Sequence, residues 1–303
     1  MKKTKIITIV LFALLLIGCR GEQSSNNLDD LSSGPPPKEA QAVILFGQSN
    51  MVGLSHNDYL NTTMPENVEE YKTGYENVKI NFLNSGGNTS YNRFVPVKLG
   101  QGYSISRFGP EVGIAETLSK GNAENVFLIK YAVGATSLYQ DWVSPSSNPE
   151  PGDLYVGAIE FTLNSLELLK EQGFNPKIKA ICWMQGEHDS VKSYYEEYYS
   201  LTKNFVSDLR LAFDDYKEDN GIAFLDAAIA AMYKWREHET INNAKRQNAE
   251  EDPLTYFIDT NAEGLTTELE PTDNPDILHY DSASMIKLGR LFGMTLLDNS
   301  LVN

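Results

Sequence analysis

The sequence predicts an α/β fold in which helices cover both faces of a mostly parallel sheet. Five short apolar runs have the length and composition of buried strands, and segments with helical spacing separate them. The runs cover residues 42–46, 78–83, 125–132, 179–184 and 222–229. The carboxyl ends of parallel strands meet at one edge of a sheet, so residues far apart in sequence are expected to lie together there.

The helices are predicted from apolar residues that recur every three or four positions. The segment 156–172 carries Leu163 and Leu166 at this spacing and ends before Gly173, which is typical of a helix C-terminus. A long tyrosine-rich segment reads as one helix whose aromatic stripe packs against the core. The four predicted helices are residues 111–120, 156–172, 191–216 and 282–297.

The N-terminal segment is predicted to lie outside the fold. Three lysines precede an apolar run that ends at Cys19, which is the pattern of a secretory signal and too short to span a bilayer comfortably. A small residue followed by cysteine resembles a bacterial lipobox, in which Cys19 is lipidated and anchors the protein to a membrane. A plain cleaved signal with an incidental cysteine is the alternative.

Three segments follow from this pattern: a lipoprotein signal peptide at 1–18, a flexible tether at 19–39, and one domain at 40–303. The tether is rich in serine, asparagine and proline and almost lacks apolar residues. Arg20 follows the cysteine where a retention signal would have aspartate, so the bacterial sorting pattern favours an exported lipoprotein of the outer membrane.

The charge of the chain is strongly negative, at -16. An acidic surface repels nucleic acid, so no nucleic-acid partner is expected. Cys182 lies in an apolar run and is predicted to be a buried small hydrophobe rather than a nucleophile or disulfide partner.

The most informative motif follows the first predicted strand and reads Gly47-Gln-Ser-Asn-Met51. Glycine permits a tight turn at the strand end, and Ser49 then lies where open α/β sheets place their ligands. This arrangement indicates an exposed nucleophile, with Gln48 and Asn50 supporting it. An ordinary strand-to-loop turn with small polar residues has the same pattern.

A serine nucleophile needs a base, and histidine is the usual one because its pKa lies near neutrality. Of the four histidines, His56 and His238 read as surface residues, whereas His188 follows a strand end and stays a candidate. His279 is favoured because Asp276 lies three residues before it, close enough to orient the imidazole. A surface loop with both side chains in water is the alternative.

Two further strand ends offer hydrogen-bond donors for a developing negative oxygen. Gly134 follows the third predicted strand within Ala132-Val-Gly-Ala-Thr-Ser137. Gln185 follows the fourth within Trp183-Met-Gln-Gly-Glu187, and a buried amide there must find partners.

These four blocks, in this order, resemble the SGNH-hydrolase superfamily over most of residues 42–293. The resemblance is to its carbohydrate esterase branch, the sialate O-acetylesterase-like and acetylxylan-esterase-like proteins of carbohydrate esterase family six. It implies a flavodoxin-like three-layer α/β/α sandwich with a mostly parallel five-stranded sheet and no metal or organic cofactor. The segment Phe108-Gly-Pro-Glu111 also matches the family.

The resemblance implies a catalytic triad of Ser49, His279 and Asp276, which removes acetyl groups from acetylated glycans through an acyl-enzyme. It implies an oxyanion hole made by the amides of Ser49 and Gly134 and the side chain of Gln185. Glu187 is expected to brace loops. The partner is then an acetylated oligo- or polysaccharide.

This sequence departs from the family at His188, where the branch usually has serine. Tyr139 and Trp142 lie in a proline-containing loop and could form a platform for a sugar ring or a packed loop cover. Two other functions stay open: a general short-acyl esterase or lipase on the same fold, and a glycan-binding lipoprotein without catalysis. Fold alone does not decide between them.

Overall fold

The computed structural model describes residues 36–303, and seven strands form its central sheet. The strands in chain order are β1 Lys38–Gly47, β2 Ser55–His56, β3 Tyr75–Asn84, β4 Val95–Val97, β5 Arg107–Phe108, β6 Val126–Ala132, β7 Phe174–Met184, β8 Ala223–Ala227 and β9 Thr255–Ile258. The sheet order is β4-β3-β6-β1-β7-β8-β9, while β2 and β5 form a separate two-stranded ribbon.

Every neighbouring pair in the large sheet is parallel except β3 and β4, which are antiparallel. β1 lies at the centre between β6 and β7, so its carboxyl end is surrounded by the ends of its neighbours. The chain leaves β1 toward one side of the sheet and later crosses to the other, and open α/β sheets bind ligands at such a switch point.

Helices form the outer layers, with α1 Ser49–Val52, α2 Leu60–Thr63, α3 Val68–Thr73, α4 Glu111–Lys120, α5 Asp153–Glu171, α6 Glu187–Ser190, α7 Tyr198–Ala212, α8 His238–Glu251 and α9 Ser282–Asp298. Short 3₁₀ turns lie at Asn57–Tyr59, Ser193–Glu196 and Asp214–Tyr216. Consecutive residues of β6 show the two faces: Lys130 pairs with Glu111 of α4, whereas the Tyr131 ring contacts Phe161 of α5. The predicted α/β/α layering is confirmed.

The five predicted strands are all present, but the prediction of a five-stranded sheet is wrong because both edges carry one strand more. β4 has only three residues and includes Pro96, which cannot donate to a sheet ladder and is confined to edges. β9 has four residues and pairs on one side only. A strand this short lacks the long apolar run from which the inner strands were predicted.

Two helical segments also differ from the prediction. The single helix expected at 191–216 is divided into a 3₁₀ turn, α7 and a second 3₁₀ turn. Helix α8 was not predicted, because its buried side includes the polar residues Asn242, Lys245 and Asn248 and therefore shows little apolar periodicity.

β1 begins at Lys38, so residues 38 and 39 belong to the sheet rather than to the predicted tether. Glu39 forms an ion pair with Lys179 of β7. The signal peptide, Cys19 and the rest of the tether up to residue 35 lie outside the described residues. Within the described part of the chain, no helix has the length and apolar character needed to cross a membrane.

Helices α4 and α9 cross at two glycines. A methyl group on Gly113 would lie 2.1 Å from the carbonyl oxygen of Ile286, and one on Gly289 would lie 2.1 Å from that of Pro110. The two backbones approach so closely that only glycine fits at the crossing.

We expect Gly289→Ala to destabilise the protein by about 1–3 kcal/mol, because the added methyl overpacks a backbone contact. Urea unfolding would measure the loss. Gly121→Ala is the matched control, since its methyl would meet the flexible end of Leu297 instead. Unchanged or increased stability in Gly289→Ala would contradict this account of the crossing.

Candidate active site

A cleft of ≈ 480 Å³ opens at the carboxyl ends of the central strands. It brings together residues from three of the four sequence blocks, namely those after β1, after β6 and in the loop before α9. Its lining comprises Gln48, Ser49, Leu54, Ser85, Tyr103, Gly134, Ala135, His188, Trp235, Leu278 and His279. The volume lies within the usual range for small-molecule sites.

Ser49 is placed by a turn that only glycine allows. A side chain at Gly47 would lie 2.1 Å from the carbonyl oxygen of Met184, and the backbone N–H of Gln48 donates to that same oxygen at 2.9 Å. β1 therefore turns directly into α1, with Ser49 as the first helical residue and the rest of α1 buried. The Ser49 side chain lies at the wall of the cleft.

His279 and Asp276 form the pair that their spacing predicts. The imidazole Nδ1 lies 2.7 Å from Asp276 Oδ2, and the carboxylate also accepts the backbone N–H of Leu278 at 3.1 Å. The hydrogen bond from His279 holds the pKa of Asp276 below its usual value. With Nδ1 engaged, Nε2 is the ring nitrogen left to exchange a proton in the cleft that Ser49 and His279 share.

Asn50 connects the segments that carry these groups. Its Nδ2 donates to Glu187 Oε1 at 2.8 Å, and its Oδ1 accepts the backbone N–H of Tyr280 at 3.1 Å. Ser55 reinforces the contact by donating to the carbonyl oxygen of Tyr280 at 2.8 Å. Glu187 is fully enclosed, and burial raises the pKa of its carboxyl. Asn50 and Glu187 thus hold the His279 loop beside α1.

Gly134 lies next to Ser49, as its sequence position suggests. A Cβ built on Gly134 would be 3.6 Å from the Ser49 Cβ. The Gly134 backbone N–H donates to the Ser85 hydroxyl at 3.2 Å, and both residues line the cleft. This N–H therefore points toward a hydroxyl group of a residue that also lines the cleft.

Gln185 is fully buried and does not line the cleft. Its Nε2 donates to the Thr136 carbonyl at 3.0 Å and to Asp189 Oδ2, while its Oε1 accepts the Tyr198 hydroxyl at 3.1 Å. Both amide hydrogens thus have partners inside the protein. The oxyanion role predicted for this side chain would require the amide to leave them.

Asp189 fixes the loop after β6. Its carboxylate accepts the backbone N–H groups of Leu138 at 3.0 Å and Tyr139 at 3.2 Å. Trp142 in this loop is fully buried, with its ring against Trp183, so the proposed sugar platform at Trp142 is wrong and the packed-cover alternative is right. Tyr139 is partly exposed and stacks on Tyr194.

The remaining histidines and Cys182 are also placed. His188 lines the cleft. His238 begins α8, and its ring contacts the carbonyl of Trp235, so it is partly enclosed rather than freely exposed. His56 packs against the Tyr59 ring. Cys182 is buried as predicted, and burial raises the pKa of its thiol.

Sequence reasoning missed the buried ion pair of Lys130 and Glu111. Both side chains are fully enclosed, with Lys130 Nζ 2.7 Å from Glu111 Oε2. Lys130 also donates to the Val52 carbonyl at the end of α1, at 2.9 Å. The only signal was a lysine inside an apolar strand. Trp235 and Tyr103 in the cleft wall gave no signal, because they come from irregular loops.

Asp276→Asn tests the pairing with His279. The pKa of Asp276 is lowered in the folded protein, so its ionised form stabilises the fold above pH 3.8, and this contribution is lost as the pH falls through the folded value. We expect Asp276→Asn to have a lower free energy of unfolding than the wild type at pH 7, and a smaller deficit at pH 3. Urea unfolding at the two pH values measures this difference.

Asp273→Asn serves as the control, since this nearby carboxylate is exposed and has no hydrogen-bond partner among residues 36–303. The same pH dependence in both variants would contradict the assigned pair.

Comparison with known proteins identifies the family. The model of a carbohydrate esterase family, sialic acid-specific acetylesterase, matches residues 39–298. Among residues 36–303, no group of three or more His, Cys, Asp or Glu side chains is arranged to hold a metal ion. No curated protein matches the chain.

Three solved structures share the fold. A protein from Arabidopsis thaliana has a TM-score of 0.61 at 20% identity, covering 87% of this chain and 99% of that one. NanS has a TM-score of 0.60 at 15% identity, with coverage of 88% and 98%. A carbohydrate acetylesterase from Xanthomonas citri has a TM-score of 0.56 at 12% identity, with coverage of 84% and 55%. The family match over nearly the whole described chain shows that this protein belongs to the sialic acid-specific acetylesterase family of carbohydrate esterases.

Proposed function

We propose that this protein removes acetyl groups from acetylated glycans through an acyl-enzyme on Ser49. The observation that carries the proposal is the shared cleft: Ser49 from the end of β1 and His279 from the loop before α9 line one cavity, with His279 bound to Asp276. Each group has the chemistry that one member of a serine hydrolase triad requires.

In the proposed reaction, His279 Nε2 takes the proton of the Ser49 hydroxyl as Oγ attacks the acetyl carbonyl carbon. Asp276 keeps the imidazole oriented and stabilises its charged form. The sugar oxygen leaves with the proton from His279. Water then attacks the carbonyl carbon of the acetyl-enzyme while His279 accepts a proton from it. The bond from this carbon to Ser49 Oγ breaks, His279 returns the proton to Oγ, and acetate is released.

Backbone donors support the tetrahedral intermediate. Ser49 is the first residue of α1, and its N–H has no acceptor among residues 36–303. The Gly134 N–H is held by the neutral Ser85 hydroxyl in the free protein, and a negatively charged oxygen is the stronger acceptor. Gln185 acts here as a brace, because its amide joins the Gly134 loop to Asp189.

Acetylated sugars are proposed as the substrates because the chain belongs to an acetylesterase family. The cleft supports this class in two ways. Leu54, Leu278 and Trp235 supply apolar surface for a methyl group, while Tyr103 and His188 offer polar tips for sugar hydroxyls.

We expect the wild-type protein to release acetate from an aryl acetate and from O-acetylated sialic acids or xylan, with activity falling for longer acyl chains. Ser49→Ala and His279→Ala should each lower kcat by several orders of magnitude, because triad members act as a unit. Acetate release measures both.

Ser200→Ala, on the exposed side of α7, is the control and should keep full activity. Wild-type rates in Ser49→Ala would remove the proposed nucleophile. A preference for long acyl chains would instead favour a general esterase or lipase.

We further propose that the protein is exported and anchored through a lipid on Cys19, in the outer membrane. The support is the sequence alone: a charged start, an apolar run and a small residue before the cysteine. An exported enzyme would meet glycans outside the cytoplasm.

Cys19→Ser should abolish incorporation of labelled palmitate and release the protein from the membrane fraction, since serine offers no thiol for acylation. Expression in a bacterium, followed by fractionation, measures both effects. Cys182→Ser is the control because that thiol is buried. Palmitate labelling that persists in Cys19→Ser would contradict the anchor.

A further inference from the structure

A second groove, of ≈ 580 Å³, lies at the β3–β4 edge of the sheet and is larger than the active-site cleft. We refer to it as the edge groove. Its lining includes Tyr91, Arg93, Val95, Lys98, Gln101 and Ile105. No residue of the four sequence blocks lines this groove, so the proposed reaction leaves it without a role.

The same two loops border the cleft and the edge groove. The loop after β3 places Ser85 in the cleft and Tyr91 in the groove, and the loop after β4 places Tyr103 in the cleft and Ile105 in the groove. A methyl group on Gly86 would lie 2.1 Å from the Tyr103 carbonyl oxygen, so the two loops pack directly against each other. A ligand longer than one sugar would therefore extend from the cleft into the groove across this shared wall.

Tyr91 is presented to solvent at a conformational cost. Its side chain is 77% exposed, and its backbone has a φ of 54°, in the left-handed region that a bulky residue rarely adopts. Hydrogen bonds beneath the turn hold this conformation: Asn81 donates to Asn92 Oδ1 at 3.3 Å, and the Ser90 hydroxyl accepts the Phe82 N–H at 3.0 Å. Strained residues of this kind cluster at sites where function requires them.

The groove combines this ring with further apolar surface. Ile105, on the facing loop, is 83% exposed and lines the groove with Tyr91. A rigid aromatic ring offers a large contact area at a low cost in conformational entropy, and its flat face matches the apolar face of a pyranose ring. The two side chains therefore form a surface suited to a sugar.

Arg93 and Lys98 bring positive charge to the edge groove of a protein whose formal net charge is -16. Among residues 36–303, neither side chain forms an ion pair, although Glu76 also lines the groove. Tyr91, Arg93 and Val95 alternate along the chain and all line the groove. A guanidinium binds a carboxylate through two parallel hydrogen bonds, so the charge complement of this surface is a carboxylate.

Resting on the proposed esterase function, we infer that the edge groove binds the neighbouring sugars of an acidic glycan whose acetylated sugar lies in the cleft. One sugar ring packs on Tyr91 and its carboxylate pairs with Arg93. The ligand is thus a carboxylated pyranose within a longer chain. Glucuronic acid on xylan and sialic acid in a sialic acid chain share this chemistry.

Titration calorimetry on the purified Ser49→Ala protein measures binding without turnover. The probes are xylohexaose that carries a glucuronic acid, unsubstituted xylohexaose, and a sialic acid trimer. We expect at least one acidic probe to bind about tenfold more tightly than neutral xylohexaose, because a charge-assisted pair is added. The acidic probe that binds identifies the source of the carboxylate. Equal affinity for all three probes, or binding of none, would overturn the inference.

Arg93→Gln should remove most of this preference, because glutamine retains hydrogen-bonding groups but carries no charge. Lys38→Gln is the matched control. Lys38 is exposed, forms no ion pair within the described chain, and lines neither the cleft nor the edge groove. A preference for the acidic probe that survives Arg93→Gln would overturn the assigned carboxylate site.

Tyr91→Gly removes the ring and also relaxes the left-handed backbone. We expect the affinity for the acidic probe to fall about tenfold, the upper end of what an aromatic contact contributes, while the melting temperature stays level or rises. Leu211→Ala, which removes another exposed apolar side chain on α7, is the control and should keep the affinity. Unchanged binding with a lower melting temperature in Tyr91→Gly would show a purely structural tyrosine and overturn its role.

An aryl acetate separates this inference from the proposed function, since it is too small to reach from the cleft into the edge groove. The ratio of kcat/KM on the acetylated acidic probe to kcat/KM on the aryl acetate should fall about tenfold in Arg93→Gln, through KM. A wild-type protein that hydrolyses the aryl acetate while the Ser49→Ala protein binds no probe would overturn this inference alone. A wild-type protein that hydrolyses no ester would overturn the proposed function, and with it the service of the groove to that reaction.

Discussion

The Asn50 side chain forms hydrogen bonds with two segments that reach the sheet edge from distant parts of the sequence: Glu187 after β7 and the Tyr280 backbone before α9. Because Asn50 belongs to α1, these bonds set the position of the His279 loop relative to Ser49. The amide uses its donor on one segment and its acceptor on the other, so no residue without both groups can make the same connection. The arrangement of the cleft depends on this connection, because it fixes the relative positions of α1, the segment after β7 and the His279 loop.

Close packing at the end of β1 produces the second constraint. Gly47 passes so near the Met184 carbonyl that any side chain would collide with it, and that carbonyl also accepts the Gln48 N–H. Strand β7 therefore shapes the turn that exposes Ser49, and the same strand continues into Gln185 and Glu187. The order of strands in the sheet therefore determines the geometry around Ser49, because β1 and β7 must be neighbours for these contacts to exist.

The sequence was sufficient for the layered fold, the five inner strands and the pairing of Asp276 with His279, because each leaves a local pattern of periodicity or spacing. It was insufficient for β4, β9 and α8, since a short edge strand and a helix with a polar buried side lack such a pattern. The positions of Gln48 and Gln185 could not be distinguished either. Both are amides at strand ends, and only the folded structure shows that Gln185 is fully buried while Gln48 lines the cleft.

The buried pair of Lys130 and Glu111 differs from an ordinary internal ion pair in one respect. Apolar residues of similar volume can often replace such a pair without loss of stability, because the desolvation of both charges is avoided. Here Lys130 also donates to the Val52 carbonyl at the end of the helix that begins with Ser49. Replacing both residues by apolar ones would remove the two buried charges, but it would leave the Val52 carbonyl without a hydrogen-bond donor. The backbone of α1 therefore requires the cationic side chain as much as its carboxylate partner does.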